Sequence, residues 1–474
     1  MQVIKNYLYN AGYQILLLIV PLITTPYISR VLGAHASGIN SYTNGWVTFF
    51  YLIGQMGISL YGNREVAYHR DDKHERSRIF WGIEALQLCS ITLSFVAYIV
   101  VVFAFSSTFR TYYLLQSLWI VAYGLDVSWY FMGMEDFRKT VVRNTIVKLF
   151  TTAMIFVVVR QQSDLWKYIL LLGGAQVGGN LTLWPYLRNS IEWVKPSEWH
   201  PFTHLYPSLM LFIPTITTQV YMVVNKLMLG RIGAQDALGQ FDYADKLIKV
   251  VLAVVTATGT VMLPHVAAMF AKGDYKAVRR SLYKSFDFVT ALAVPMAAGV
   301  MAIGLKLAPW FLGSQYVPSG EVMCIEAPIL VLIAWSNVTG TQYLMPIKRV
   351  REYTISVTVG AVVNIIANFF LIPKYSSNGA AVATVIAEFS VTAVQLYCVR
   401  STIRRRDLFK ELWRYLLAGA VMFVIVFRLD QMMTMNIVNL VIQVVVGVVI
   451  YVLALYLLRA PILKQGIEMI KNRE

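Results

Sequence analysis

The sequence predicts an all-α integral membrane protein of about 14 transmembrane helices containing an internal repeat. Three observations carry that reading: fourteen apolar stretches, Lys and Arg concentrated in alternate gaps between them, and a kinked-helix pattern that occurs twice. The stretches lie at about 6–29, 38–62, 79–105, 111–134, 141–159, 165–187, 205–229, 239–263, 286–305, 322–345, 353–372, 379–399, 413–428 and 437–458. Most reach the roughly 20 residues that a helix needs to cross about 30 Å of hydrocarbon. The thirteenth is the weakest, squeezed between Arg414 and Arg428, which can snorkel towards the interfaces. A composition 57% hydrophobic and 14% charged belongs to the same class.

Charge gives the orientation. Of the 41 Lys+Arg, 29 fall in or at the edges of the two tails and the even-numbered gaps, in runs such as Arg64–Arg78, Lys348–Arg351 and Arg404–Arg406. Only 8 fall in or at the edges of the odd-numbered gaps: Arg30, Arg110, Arg160, Lys167, Arg231, Lys306, Lys374 and Arg428; the other four, Lys148, Lys226, Lys246 and Lys249, lie inside or at the mouths of the stretches. By the positive-inside rule both termini are expected in the cytoplasm. The odd gaps are short and leave no room for an external domain. A net charge of +16 spread over many short loops fits topology and anionic headgroups rather than nucleic acid. The first stretch lacks a small-residue cleavage site and is expected to be retained. Cys89, Cys324 and Cys398 all lie in apolar stretches, with no disulfide or metal spacing. The chain carries no P-loop, His-Glu-x-x-His or nucleophile elbow, so neither a catalytic residue nor a cofactor is expected.

The repeat sets the internal organisation. Pro21-Leu22-Ile23-Thr24-Thr25 precedes Arg30-Val31-Leu32-Gly33 and Gly38-Ile39-Asn40-Ser41-Tyr42. Pro214-Thr215-Ile216-Thr217-Thr218 precedes Lys226-Leu227-Met228-Leu229-Gly230 and Gly239-Gln240-Phe241-Asp242-Tyr243. The two prolines lie six stretches apart, an even number, so both copies enter the membrane in the same sense. Parallel repeats of this kind are a known transporter symmetry. Proline in an apolar helix frees a carbonyl that Thr or water must satisfy, which marks Pro21 and Pro214 as candidate hinges or as static packing kinks.

Ionisable groups within spans are costly and face a cavity or a partner. Glu84, Asp126, Lys148, Lys226, Glu326 and Glu388 are the candidates. Asp242 with Lys246, and Asp245 with Lys249, are acid-then-base pairs at i,i+4, either a self-neutralising helix mouth or the rim of a hydrated cavity. Arg30 and Lys226 hold equivalent places in the two copies. They are either snorkelling anchors or cations suited to a diphosphate. Arg64 and Glu65 end the second stretch, as a helix-end pair or a headgroup contact. Asp126, Trp129 and Gly133 share one helical face, expected to line a cavity with Glu135 at its edge.

Further strings carry a resemblance. They are Pro26 to Gly33, Tyr61-Gly62-Asn63-Arg64-Glu65-Val66-Ala67, Asp126 to Phe137, Gly259 to Pro264, Tyr343-Leu344-Met345-Pro346, Asn364 to Pro373 and Gly379-Ala380-Ala381. In this order and spacing the chain resembles the polysaccharide-biosynthesis flippases (Wzx-type oligosaccharidyl-lipid transporters) of the multidrug/oligosaccharidyl-lipid/polysaccharide exporter superfamily. The resemblance covers essentially the whole chain. It implies two pseudo-symmetric six-helix lobes forming a V-shaped cavity, at 1–190 and 205–400, joined by a cytoplasmic linker at 191–204. Two extra helices and a tail would occupy 401–474. It further implies alternating access and undecaprenyl-diphosphate-linked oligosaccharides moved across the bacterial cytoplasmic membrane. Family members commonly have Asp before the seventh-helix Lys; Asn225 stands there instead, which puts an ion-coupling role at that position in doubt.

The expected partners are lipid-linked oligosaccharide, the bilayer and a membrane glycan polymerase, with a proton or sodium left open as coupling ion. A multidrug exporter of the same superfamily is the nearest alternative, and it favours an acidic cavity. A membrane glycan polymerase would need a large external loop bearing Arg and His, which this chain lacks.

Overall fold

In hydrocarbon each backbone N–H and C=O needs a partner within its own segment, and the helix supplies it. The computed structural model describes residues 2–105 and 108–463, and the regular elements among them are all helical. Each of the fourteen apolar stretches is helical over most of its length. Among the described residues, seven helices are long and apolar enough to cross a membrane. The pair Ser314–Glu326 and Ile329–Leu344, bent by 45°, is long and apolar enough only when taken together, as a broken span or a re-entrant loop. The chain is a multi-pass membrane protein.

Several stretches run together or break. Gln2–Gln55 holds the first two, separated at Gly33, whose φ of 73° suits a residue without Cβ. Val350–Cys398 likewise holds the eleventh and twelfth, separated at Ser376. The 111–134 stretch, expected to be one helix, is three: Arg110–Gln116, Leu118–Gly124 and Ser128–Gly133. Asp126 falls in the second break, where its Oδ1 accepts from the Ser128 N–H at 3.0 Å. Trp129 is 1% exposed and stacks on Phe80. The expected cavity-lining face of Asp126, Trp129 and Gly133 is therefore corrected: a helix break interrupts it, and Trp129 and Gly133 are packed inside.

The chain forms two compact units, Met1–Gly230 and Arg231–Glu474. In the first, a core of Ile58, Phe80, Ile83, Trp129, Tyr130, Phe131 and Leu183 joins the second, third, fourth and sixth stretches. The 191–204 segment straps onto the Lys73–Phe105 helix. There Trp81 Nε1 donates to Glu192 O at 3.1 Å, Trp81 stacks on Trp199, and His204 Nδ1 lies 2.8 Å from Tyr61 Oη. The helix from Leu205 packs with this unit, Ser208 Oγ donating to Met56 O at 2.6 Å. In the second unit, Phe286, Trp335 and Phe409 centre the core. The last two helices, Leu412–Met432 and Ile437–Leu457, lie on the Tyr275–Leu312 helix. Tyr415 Oη donates to Asp287 Oδ1 at 2.7 Å, and Tyr451 Oη to Ala291 O at 2.9 Å.

Matching aromatic pairs reproduce the repeat within each unit. Tyr42 meets Tyr113 edge-on at 6.5 Å, and Tyr243 meets Tyr316 edge-on at 5.3 Å. Phe80 stacks on Trp129 at 5.5 Å, and Phe286 stacks on Trp335 at 5.5 Å. The sequence match reached only the first two helices of each half; these pairs extend it to the third and fourth.

Candidate functional site

The helix Gln235–Ala271 opens with both expected ion pairs. Lys246 Nζ lies 2.6 Å from Asp242 Oδ2, and Lys249 Nζ lies 2.6 Å from Asp245 Oδ2. In each pair the acid is buried and the base half-exposed. The Asp242 side chain is 4% exposed against 49% for Lys246. Lys246 also sits over the Tyr243 ring at 4.7 Å. A buried carboxylate with a half-exposed ammonium beside it makes a self-neutralising pair on one helix. Glu326, at the end of Val317–Glu326, is fully buried within the fields of Asp245 and Lys249, and neither carboxyl oxygen has a hydrogen-bond partner among the described residues.

Arg30 is exposed, three residues before the Gly33 break. Asn225 is buried, and Lys226 is half-buried with its Cβ 3.7 Å from where a Cβ on Gly45 would stand. The missing side chain at Gly45 is what lets the seventh stretch lie close to the second at this level. Arg64 pairs with Glu65 at 3.2 Å and covers the Tyr61 ring at 5.6 Å, on the exposed end of its helix. Lys148 is half-buried in Phe137–Val158. Pro21 lies inside a helix, with Thr24 Oγ1 donating to Val20 O at 3.0 Å. Pro214 lies in the helix Leu205–Ile232, and its side chain is outside the described residues.

Other intramembrane polar groups were not singled out by the sequence reading. Gln116 Nε2 donates to Asn40 Oδ1 at 3.1 Å, while its Oε1 accepts from Asn44 Nδ2 at 3.3 Å. Arg143 Nη1 donates to Asn180 Oδ1 at 2.6 Å, and Asn180 Nδ2 donates to Ala122 O at 2.6 Å. In the second unit Thr339 Oγ1 donates to Gln395 Oε1 at 2.7 Å, and Gln395 Nε2 donates to Ser356 Oγ at 3.1 Å. The π-helical turn Asn337–Leu344 makes room for this: a Cβ on Gly340 would stand 2.8 Å from Gln395 Nε2. The available signal was Asn40, Thr43 and Asn44 at helical spacing inside an apolar run.

A helical membrane protein with an internal repeat, kinked spans and charged residues buried within them belongs to the transporter class. Residues 3–270 match the polysaccharide biosynthesis protein family, and the chain belongs to that family. A candidate O-antigen transporter of Escherichia coli (strain K12) is 21% identical over 412 residues, covering 84% of this chain and 96% of that protein. Lipid II flippase MurJ of Bacillus subtilis (strain 168) is 22% identical over 147 residues, 30% of this chain and 27% of its own length. Among solved structures, lipid II flippase MurJ in an inward closed conformation aligns with a TM-score of 0.77 at 15% identity, over 96% of this chain and 100% of that one. An inward-facing multidrug resistance MATE family transporter aligns with a TM-score of 0.63 at 13% identity, over 82% and 96%. At these identities the structural likeness establishes the fold.

Proposed function

We propose that this protein is a flippase that carries a lipid-diphosphate-linked oligosaccharide from the cytoplasmic to the outer leaflet, for extracellular or cell-wall polysaccharide synthesis. Its membership of the polysaccharide biosynthesis family carries the reading. The likeness in fold to a lipid II flippase supports it. Moving a charged multi-sugar headgroup through hydrocarbon is prohibitive, so a hydrated cationic path must hold it while the lipid tail stays in the bilayer. Rocking of two repeat-related lobes around a fixed site exposes that path to one leaflet at a time. In this reading the lobes are 1–190 and 205–400, the linker and both termini are cytoplasmic, and Pro21 and Pro214 are the hinges. The multidrug-exporter alternative shares the fold, but not the family description.

Arg30 and Lys226 are the proposed diphosphate cations, with Lys246, Lys249 and Arg64 along the path. Each charge-assisted contact contributes roughly 1.5–3 kcal/mol, so Arg30→Gln or Lys226→Gln should slow transport about 10–100-fold in proteoliposomes. Near wild-type rates in both variants would make them interfacial anchors. A membrane glycan polymerase is the partner expected to consume the product.

A further inference from the structure

The two units differ at one pair of equivalent positions. In the second unit Trp335 Nε1 donates to Thr290 Oγ1 at 2.8 Å, one turn along from the Phe286 on which Trp335 stacks. The Phe80–Trp129 stack sets the first unit in register, and Glu84 then stands where Thr290 stands. Here the bond is not made. Trp129 Nε1 and both Glu84 carboxyl oxygens are buried without a hydrogen-bond partner among the described residues. Glu84 is 1% exposed. Another donor on the same helix is committed elsewhere: Gln87 Nε2 bonds Tyr123 O at 2.9 Å and Asp126 O at 3.1 Å across the helix break.

The neighbouring charges do not compensate a carboxylate at this place. Among the described residues, Asp126 is the charged group whose field reaches Glu84, and it has the same sign; Arg143 acts on Asp126 instead. Arg64, Glu65 and Arg78 act instead on the Tyr61–His204 pair, where the second helix meets the linker. An ionised carboxyl here would bear an uncompensated burial cost, which a bound proton removes. If the adjacent break at Asp126 opens, water reaches the same carboxyl and the proton can leave.

We propose that Glu84 is an intramembrane proton-binding site that loads and unloads with the transport cycle, the break at Asp126 controlling its access to water. The inference deepens the flippase reading and rests on it for the transport cycle, but not for the proton site itself. Two measurements test it. Infrared difference spectra of the purified protein across a pH jump should show a protonated-carboxyl stretch that is absent from Glu84→Gln and Glu84→Thr. The Thr variant copies Thr290 and gives Trp129 an acceptor, so it should fold even if the Gln variant does not. In proteoliposomes a one-unit pH gradient should shift the wild-type leaflet distribution of labelled lipid-linked oligosaccharide by up to about tenfold per proton. Both variants should lose that response. A band unchanged in the variants, a gradient response unchanged in them, or no response in the wild type overturns the proposal. If the wild type moves no lipid-linked oligosaccharide at all, the flippase reading fails, and the infrared band alone still decides whether Glu84 binds the proton.

Discussion

Replacing Gln116 by Leu should destabilise the first unit more than replacing its whole polar network. Gln116 is 1% exposed, and its amide bridges Asn40 and Asn44 just after the Gly33 break, with a longer contact to Thr43 Oγ1 at 3.4 Å. Removing the amide leaves the facing Asn40 oxygen and Asn44 nitrogen without those partners. Hydrogen bonds within membranes average about 0.6 kcal/mol, and an orphaned buried polar group costs about 1–3 kcal/mol. The single variant should therefore lose about 2 kcal/mol. In the triple variant Asn40→Leu, Asn44→Leu, Gln116→Leu the Asn40 and Asn44 orphans are gone, Thr48 Oγ1 losing a long 3.4 Å contact to Asn44 Oδ1, and most of that loss should return. Reversible unfolding in detergent compares the two variants. A triple variant less stable than Gln116→Leu alone would refute the reasoning, since the contacts would then act independently.

Two other outcomes follow from groups outside the spans. Asp164 is held by Lys167 Nζ at 2.6 Å and by the backbone N–H groups of Arg160 and Gln161 at 2.9 and 3.1 Å, which keep its carboxyl below the usual carboxylate range. A lowered folded value stabilises above the unfolded one and is lost as pH falls through the folded one. Asp164→Asn should thus lower the melting temperature at neutral pH, and the gap to wild type should close on acidification; a gap independent of pH contradicts this. In a cysteine-free background, His35→Cys and Ala234→Cys should be labelled only from outside, and Asp71→Cys and Lys272→Cys only from the cytoplasm. Labelling of His35→Cys and Lys272→Cys from one side would break the parallel repeat. Residues 34, 36 and 37 are buried and make poor labelling sites, unlike exposed His35.

Local chemistry was legible in the sequence. Apolar runs, the Asp242–Lys246 and Asp245–Lys249 pairs and the Gly33 break all follow from spacing within a few turns. What was hidden depends on distant partners. Gln116 and Asn44 are 72 residues apart, and nothing near either one names the other. The break at Asp126 was missed because residues 111–134 read as one apolar run, whereas the Asp126 carboxylate serves the Ser128 N–H and three carbonyls of the break are met by Gln87. The repeat was visible only where Pro, Gly and a cation mark it. Its continuation through Phe80–Trp129 and Phe286–Trp335 needs the packing, since aromatic residues are common in every span.

The central claim is that this chain moves a lipid-diphosphate-linked oligosaccharide between leaflets. Purified protein in proteoliposomes, with a labelled undecaprenyl-diphosphate oligosaccharide in both leaflets and a membrane-impermeant reagent outside, tests it directly. The account predicts that the inner-leaflet pool becomes accessible at a rate proportional to protein and slowed by Arg30→Gln. Accessibility stuck at the outer-leaflet fraction, or equal transport of a lipid lacking the diphosphate, would contradict it.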